Sequence, residues 1–317
     1  MDTPPVLFIV FNRPETARRV FGEIRAARPG RLFIAADGPR EGREGEAQRC
    51  EESRALIKEI DWPCEVHTLF RDSNLGCKRA VSSAIQWFFE NNEVGIILED
   101  DCLPHPSFFP FAADMLDKYR DEEKARMVAG LCMLPPSRMD PRSCFFSRYF
   151  PIWGWATWRR AWKDYDIEMR EWPEFAASGR LERMIGDPRY RAMLRMGFDG
   201  TYRGKIDTWD YQWVLSSYLH DGLCLTPGAN LISNIGMVGA HMSGKRNSML
   251  NMPTRGLMVG ELERPPIVEA DRERDALMFE RIVSSTAYPA PLVPIMRAAN
   301  TVLNRVNPER WRRREIV

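Results

Sequence analysis

The chain is poor in the patterns that mark the common chemistries. Its seven cysteines (50, 64, 77, 102, 132, 144 and 224) are scattered, odd in number and form no CxxC. They read as reduced packing thiols of a cytoplasmic protein rather than as a disulfide framework or a zinc site. Four histidines without an HExxH pattern exclude the common zinc hydrolases. No GxGxxG follows the first apolar run and no GxxxxGK[ST] occurs, so dinucleotide and P-loop sites are not expected. No apolar stretch approaches the ~20 residues that span a bilayer. No basic-then-apolar leader opens the sequence, so no secretory signal is expected. A net charge of +1 gives no global field for nucleic acid. No internal repeat or low-complexity segment is visible.

What is present is a strand–helix alternation. Pro5–Phe11 is an unbroken apolar run, as in a strand covered on both faces. Pro14 suits a first helical position, and Val20, Phe21 and Ile24 follow at helical spacing. Further strands are read at 31–36, 65–70 and 94–98, with helices at 43–60 and 75–90 between them. This order implies an α/β fold with a mostly parallel sheet and right-handed crossovers. Its strand ends (Asn12-Arg13, Asp37-Gly38, Arg71–Asn74 and Glu99–Asp101) should meet at one crevice.

The most informative of these ends is Val94–Asp101, a β-prone run that passes straight into Glu99, Asp100 and Asp101. Adjacent carboxylates repel one another, so the cluster is poorly explained by stability. A divalent cation with a phosphate-bearing ligand would relieve the repulsion, and oxygen donors suit Mg²⁺ or Mn²⁺. A solvated acidic turn is the plain alternative. After Pro135-Pro136 the alternation fades and aromatics accumulate. Trp153, Trp155 and Trp158 could pack the core or offer indole faces to a sugar, and Gly154 among them would let the backbone come close to a ligand. Asp207 and Asp210 lie at i and i+3 near the start of an apolar helix that includes Ile206, Trp209 and Trp213. Asp207 could serve there as an N-cap.

PVLFIVFNRPETARRVFGEI, AADGPR, RDSNLGCKRAVSSAI and GIILEDDCLPHPSFFPFA together resemble the A-type nucleotide-diphosphosugar glycosyltransferases. The pattern is similar to the β-1,2-N-acetylglucosaminyltransferase I family and its bacterial relatives, over residues 5–245. The spacing of Asn74, Gly76 and Ala80 also resembles the family 2 glycosyltransferases. The resemblance implies an inverting transfer from a nucleotide sugar, UDP-linked, to a hydroxyl of a glycan or lipid-linked glycan in polysaccharide biosynthesis. It implies that Arg13 contacts the diphosphate, Asp37 the base, Glu99 the sugar and Asp100 the ribose, while Asp101 ligates Mn²⁺ or Mg²⁺. Arg71–Lys78, including Asn74, would flank the nucleotide. The family's uracil-facing histidine has no match here; Lys78 and Arg79 stand nearby instead. A glycine-tryptophan segment implies a sugar floor at Trp155. A tryptophan-aspartate pair implies Asp210 as base, with Asp207 in reserve, and the glycine-rich stretch 233–246, with His241, implies a loop closing on the donor.

The expected organisation is a nucleotide-sugar-binding half (1–135), an acceptor and base half of the same catalytic domain (136–260), and a C-terminal helical tail (261–317). The tail's Arg310–Arg314 and amphipathic 295–306 suit peripheral contact with an anionic membrane surface at its inner face. Two other readings remain: a sugar-phosphate nucleotidyltransferase, and a glycan-binding relative that has lost catalysis.

Overall fold

In the computed structural model the described residues are 2–236 and 249–285. Ten strands and ten α-helices are assigned among them. The strands are β1 (Val6–Val10), β2 (Arg31–Ala36), β3 (Glu65–Phe70), β4 (Val94–Glu99), β5 (Cys102–Pro104), β6 (Ala125–Ala129), β7 (Cys144–Ser147), β8 (Trp155–Trp158), β9 (Leu223–Pro227) and β10 (Ile232–Asn234). The helices are α1 (Pro14–Ala27), α2 (Glu46–Arg54), α3 (Gly76–Asn91), α4 (Phe108–Lys118), α5 (Arg159–Trp162), α6 (Trp172–Ala177), α7 (Arg180–Met184), α8 (Pro188–Tyr202), α9 (Asp210–Leu219) and α10 (Arg272–Ser285).

Eight strands form one mixed sheet in the order β3-β2-β1-β4-β8-β6-β9-β7, with helices flanking it. β3, β2, β1 and β4 are all parallel, as the alternation predicts. β8 runs antiparallel between β4 and β6, so the later chain extends the sheet built by the first strands. β5 and β10 pair separately beside the acidic end of β4.

Alternation along the strands separates two cores. Leu7, Phe33 and Ile97 face Val81, Ile85 and Phe88 of α3. Phe8, Ile34 and Leu98 face Val20, Phe21 and Ile24 of α1 and Phe108 of α4. Both faces being covered explains the continuous apolar runs of β1 and β4. β3 is an edge strand and only partly buried, which is why its sequence signal is weak.

The structure amends several expectations. The charged helix read at 43–60 is α2 followed by a 3₁₀ turn over Ala55–Glu59. α9 begins at Asp210, so Asp207 is not its N-cap, and Ile206 lies before the helix and is exposed. No helix among the described residues is long and apolar enough to cross a membrane. The segment 295–306 and Arg310–Arg314 lie outside the described residues.

Candidate functional site at the carboxyl edge of the parallel strands

Glu99 is the last residue of β4, and Asp100 and Asp101 form the turn into β5. Asp100 folds back under the end of β1, where its Oδ2 accepts the Phe11 N–H at 3.2 Å. Its Oδ1 is held by the Arg13 guanidinium. The other arm of that guanidinium donates to Asp101 Oδ2 at 2.7 Å. One arginine thus spans two of the three acids. Burial and the Asp101 charge push the Asp100 carboxyl up to about 6 despite the pull of Arg13. Glu99 is driven further above the carboxylate range, first by burial and then by the charges of Asp101 and Asp100. Burial opposes the charge of Arg13, yet the two carboxylates hold it above its ordinary value.

The second acidic cluster meets the first across α3. Cys77, in the first turn of that helix, lies within electrostatic reach of Glu99 and, more weakly, of Asp210, Asp207 and Asp37. Burial, reinforced by these charges, pushes its thiol up to about 12, so it remains protonated and is no nucleophile. A Cβ built on Gly76, whose φ is +77°, would sit 3.1 Å from Asp207 Oδ2. Asp207 is exposed and Asp210 half-buried. The Thr208 hydroxyl and the Tyr211 N–H (2.9 Å) both donate to Asp210 Oδ1, which orients that carboxylate. Tyr165 secures the same turn by donating its hydroxyl to the Trp209 carbonyl at 3.0 Å.

Asp37 and Asn74 are engaged with each other. Asp37 accepts from Asn74 Nδ2 (2.9 Å), the Gly38 N–H (3.0 Å) and the Leu75 N–H (3.0 Å), and Asn74 also donates to the Gly38 carbonyl. The pair clamps the end of β2 to the start of α3. Lys78 is half-buried and Arg79 exposed on the first turn of that helix. Beyond the clamp an open groove of about 650 Å³ runs between the 39–44 loop and Asp72-Ser73.

Two assignments require correction. Trp155 is fully buried, and Trp209 stacks on it at 5.8 Å, so the indole face that a sugar would use is already covered. Gly154, read as a point of close ligand approach, instead lets its strand pack on Ile232, which a Cβ there would meet at 2.4 Å. His241 lies outside the described residues, as do Lys245 and Arg246.

Some parts of the site had no clear sequence signal. Glu46, 1% exposed, accepts from Asn12 Nδ2 (2.8 Å), the Arg40 N–H (2.7 Å) and the Arg40 guanidinium. It ties the loop after β1 to the loop after β2, one residue from Arg13. In the sequence it is one acid in a charged run. Gly236 follows β10 and passes over the acidic turn, with the Ile235 N–H donating to the Asp101 carbonyl at 2.8 Å. A Cβ at Gly236 would lie 2.6 Å from Asp101 Oδ2 and 3.3 Å from Arg13 Nη1.

No three acidic, histidine or cysteine residues among the described ones form a metal-binding group. A Mg²⁺ or Mn²⁺ ion delivered with a diphosphate asks the protein for only one or two carboxylates. Asp101 fits that lesser demand, since its side chain is 15% exposed against 3% for Asp100.

No family model matches the chain, and no curated protein matches it. Among solved structures it is similar to residues 1–349 of S. aureus TarS at 9% identity, covering 72% of this chain and 59% of that one, with a TM-score of 0.41. A longer S. aureus TarS structure is matched at 12% identity over 51% of this chain, with a TM-score of 0.35, and the chain spans only 30% of that protein's length. The inositol-1-phosphate CTP transferase from T. maritima is matched at 10% identity over 51% of this chain and 74% of that one, with a TM-score of 0.32.

Proposed function

We propose that the chain is an inverting glycosyltransferase that moves a hexosyl or N-acetylhexosaminyl group from a nucleotide-diphosphosugar, UDP-linked, to a hydroxyl of a glycan or lipid-linked glycan. The supporting observation is that Glu99, Asp207 and Asp210 gather about the first turn of α3 at Gly76-Cys77, while Asp100, Asp101 and Asp210 act on Glu99, at the carboxyl edge of the parallel strands. Open α/β sheets bind ligands at that edge. The groove beside the Asp37–Asn74 clamp would take the base, with Lys78 and Arg79 near it. Arg13 would fork onto the diphosphate, beside the amino terminus of α1. Glu99 would face the sugar. Asp101 would hold Mn²⁺ or Mg²⁺ together with the phosphates, and that ion would supply Lewis-acid neutralisation of the leaving group.

The chemistry assigned to the chain's own residues is a single displacement. Asp210, oriented by Thr208 and Tyr211, takes the proton of the acceptor hydroxyl. The hydroxyl oxygen bonds to the anomeric carbon as the bond to the diphosphate oxygen breaks. The electron pair leaves with the diphosphate, whose charge Arg13 offsets.

A nucleotidyltransferase is the second reading. The link from β1 to α1 is only Phe11–Arg13, which leaves no room for a glycine- and lysine-rich nucleotide loop. The test measures release of nucleoside diphosphate from a panel of nucleotide sugars with a glycan acceptor. Asp210→Asn is expected to slow release about 10²–10⁴-fold while donor binding persists. Asp207→Asn should stay within a few-fold of wild type. Unchanged turnover in Asp210→Asn would reject the assigned base, and pyrophosphate formation from a sugar phosphate and a nucleoside triphosphate would favour the second reading.

A further inference from the structure

We infer that Arg13 is a built-in counter-ion that keeps a divalent cation off Asp101 until a diphosphate draws the guanidinium away, so that cation and nucleotide bind as a coupled pair. The inference rests on the proposed donor site and concerns how that site is loaded. Arg13 bridges Asp100 and Asp101, and its bond to Asp101 uses Oδ2 of the more exposed of the two acids. A cation arriving alone competes with this arm for Asp101, leaving a half-buried guanidinium short of one partner, which is costly. A diphosphate removes that cost, because its oxygens match the arginine fork as well as the carboxylate did. It also supplies the remaining oxygen ligands of the cation.

The movement required is confined to one side chain. Pro14 opens α1 immediately after Arg13 and restrains the backbone there. The Arg13 side chain is 34% exposed, so it borders solvent. Asp100 retains the Phe11 N–H after the exchange, so the more buried acid is never left bare.

The experiment measures Mn²⁺ binding by electron paramagnetic resonance, without turnover, in wild type, Arg13→Gln and Arg13→Lys, each with and without UDP. Wild type should bind Mn²⁺ about tenfold more tightly in the presence of saturating UDP, and by reciprocity Mn²⁺ should strengthen UDP binding by the same factor. Arg13→Gln should bind Mn²⁺ alone about tenfold more tightly than wild type and lose most of the coupling. Arg13→Lys should fall between them, because a point cation cannot span both carboxylates, and it carries the comparison if the glutamine variant fails to fold. Equal affinity of wild type and both variants for Mn²⁺ alone would overturn the counter-ion. No effect of UDP, GDP, CDP or ADP on Mn²⁺ binding would overturn the coupled loading and, with it, the donor-site reading, whatever the variants do with Mn²⁺ alone.

Discussion

Glu46 offers the sharpest test of how the site is held together. Its carboxylate is 1% exposed at the start of α2, where the helix dipole also favours a negative charge. The Arg40 guanidinium, aided by the Arg40 N–H and Asn12, pulls it down to about 2 from an ordinary 4.5. A depressed acid contributes stability above its unfolded value and loses it as pH falls toward the folded value. A shift of this size corresponds to about 3 kcal/mol at neutral pH, at about 1.4 kcal/mol per unit. Arg40 is half-exposed, so solvent screening reduces this to about 2 kcal/mol. Glu46→Gln removes the charge and turns an amide NH₂ toward a guanidinium. At pH 7.5 it should lower Tm by about 4 °C, since a chain of this size shifts by roughly 2 °C per kcal/mol. At pH 3 the deficit should shrink to less than half, because the wild-type carboxylate has already lost most of its advantage. Thermal unfolding followed by circular dichroism at the two pH values measures both. A deficit of equal size at pH 7.5 and pH 3 would show that Glu46 acts through shape and not through its charge.

Two further outcomes follow from local geometry. Gly236→Ala would place a methyl against Asp101 and Arg13, forcing the Arg13–Asp101 contact apart. It should cost about 1–3 kcal/mol by urea unfolding and alter Mn²⁺ and UDP binding together, whereas alanine at the open position Gly260 should do neither. Asp275 on α10 is buried, and burial raises its carboxyl to about 6 against the bonds from the Ser147 hydroxyl (2.6 Å) and the Arg148 N–H (3.0 Å). The folded state therefore holds this proton longer than the unfolded chain, and stability should fall by up to about 3 kcal/mol between pH 4 and pH 6.5. The difference between wild type and Asp275→Asn, measured by urea unfolding across that range, should carry this slope, and parallel curves would refute it.

The first four strands and the helices between them were legible because each strand is apolar on both faces or ends in polar residues, and each helix carries its own stripe. β7, β8 and β9 were not, since short strands in an aromatic-rich stretch have no periodicity of their own; pairing across the sheet makes them strands. The acidic tripeptide was visible because three carboxylates after an apolar run break the pattern around them. The arginine spanning two of them was not, because residues 13 and 101 share no local relation.

Local patterning along the chain sets the alternation, the edge at which polar strand ends gather, and the residue types available there. Which of those groups are already committed to each other emerges when the chain closes. Arg13 is held by Asp100 and Asp101, Asp37 by Asn74, and Trp155 by Trp209. Hydrophobic patterning is a local property that a strand or helix expresses alone, whereas charge pairing and aromatic stacking depend on distances set only when remote segments close into one core.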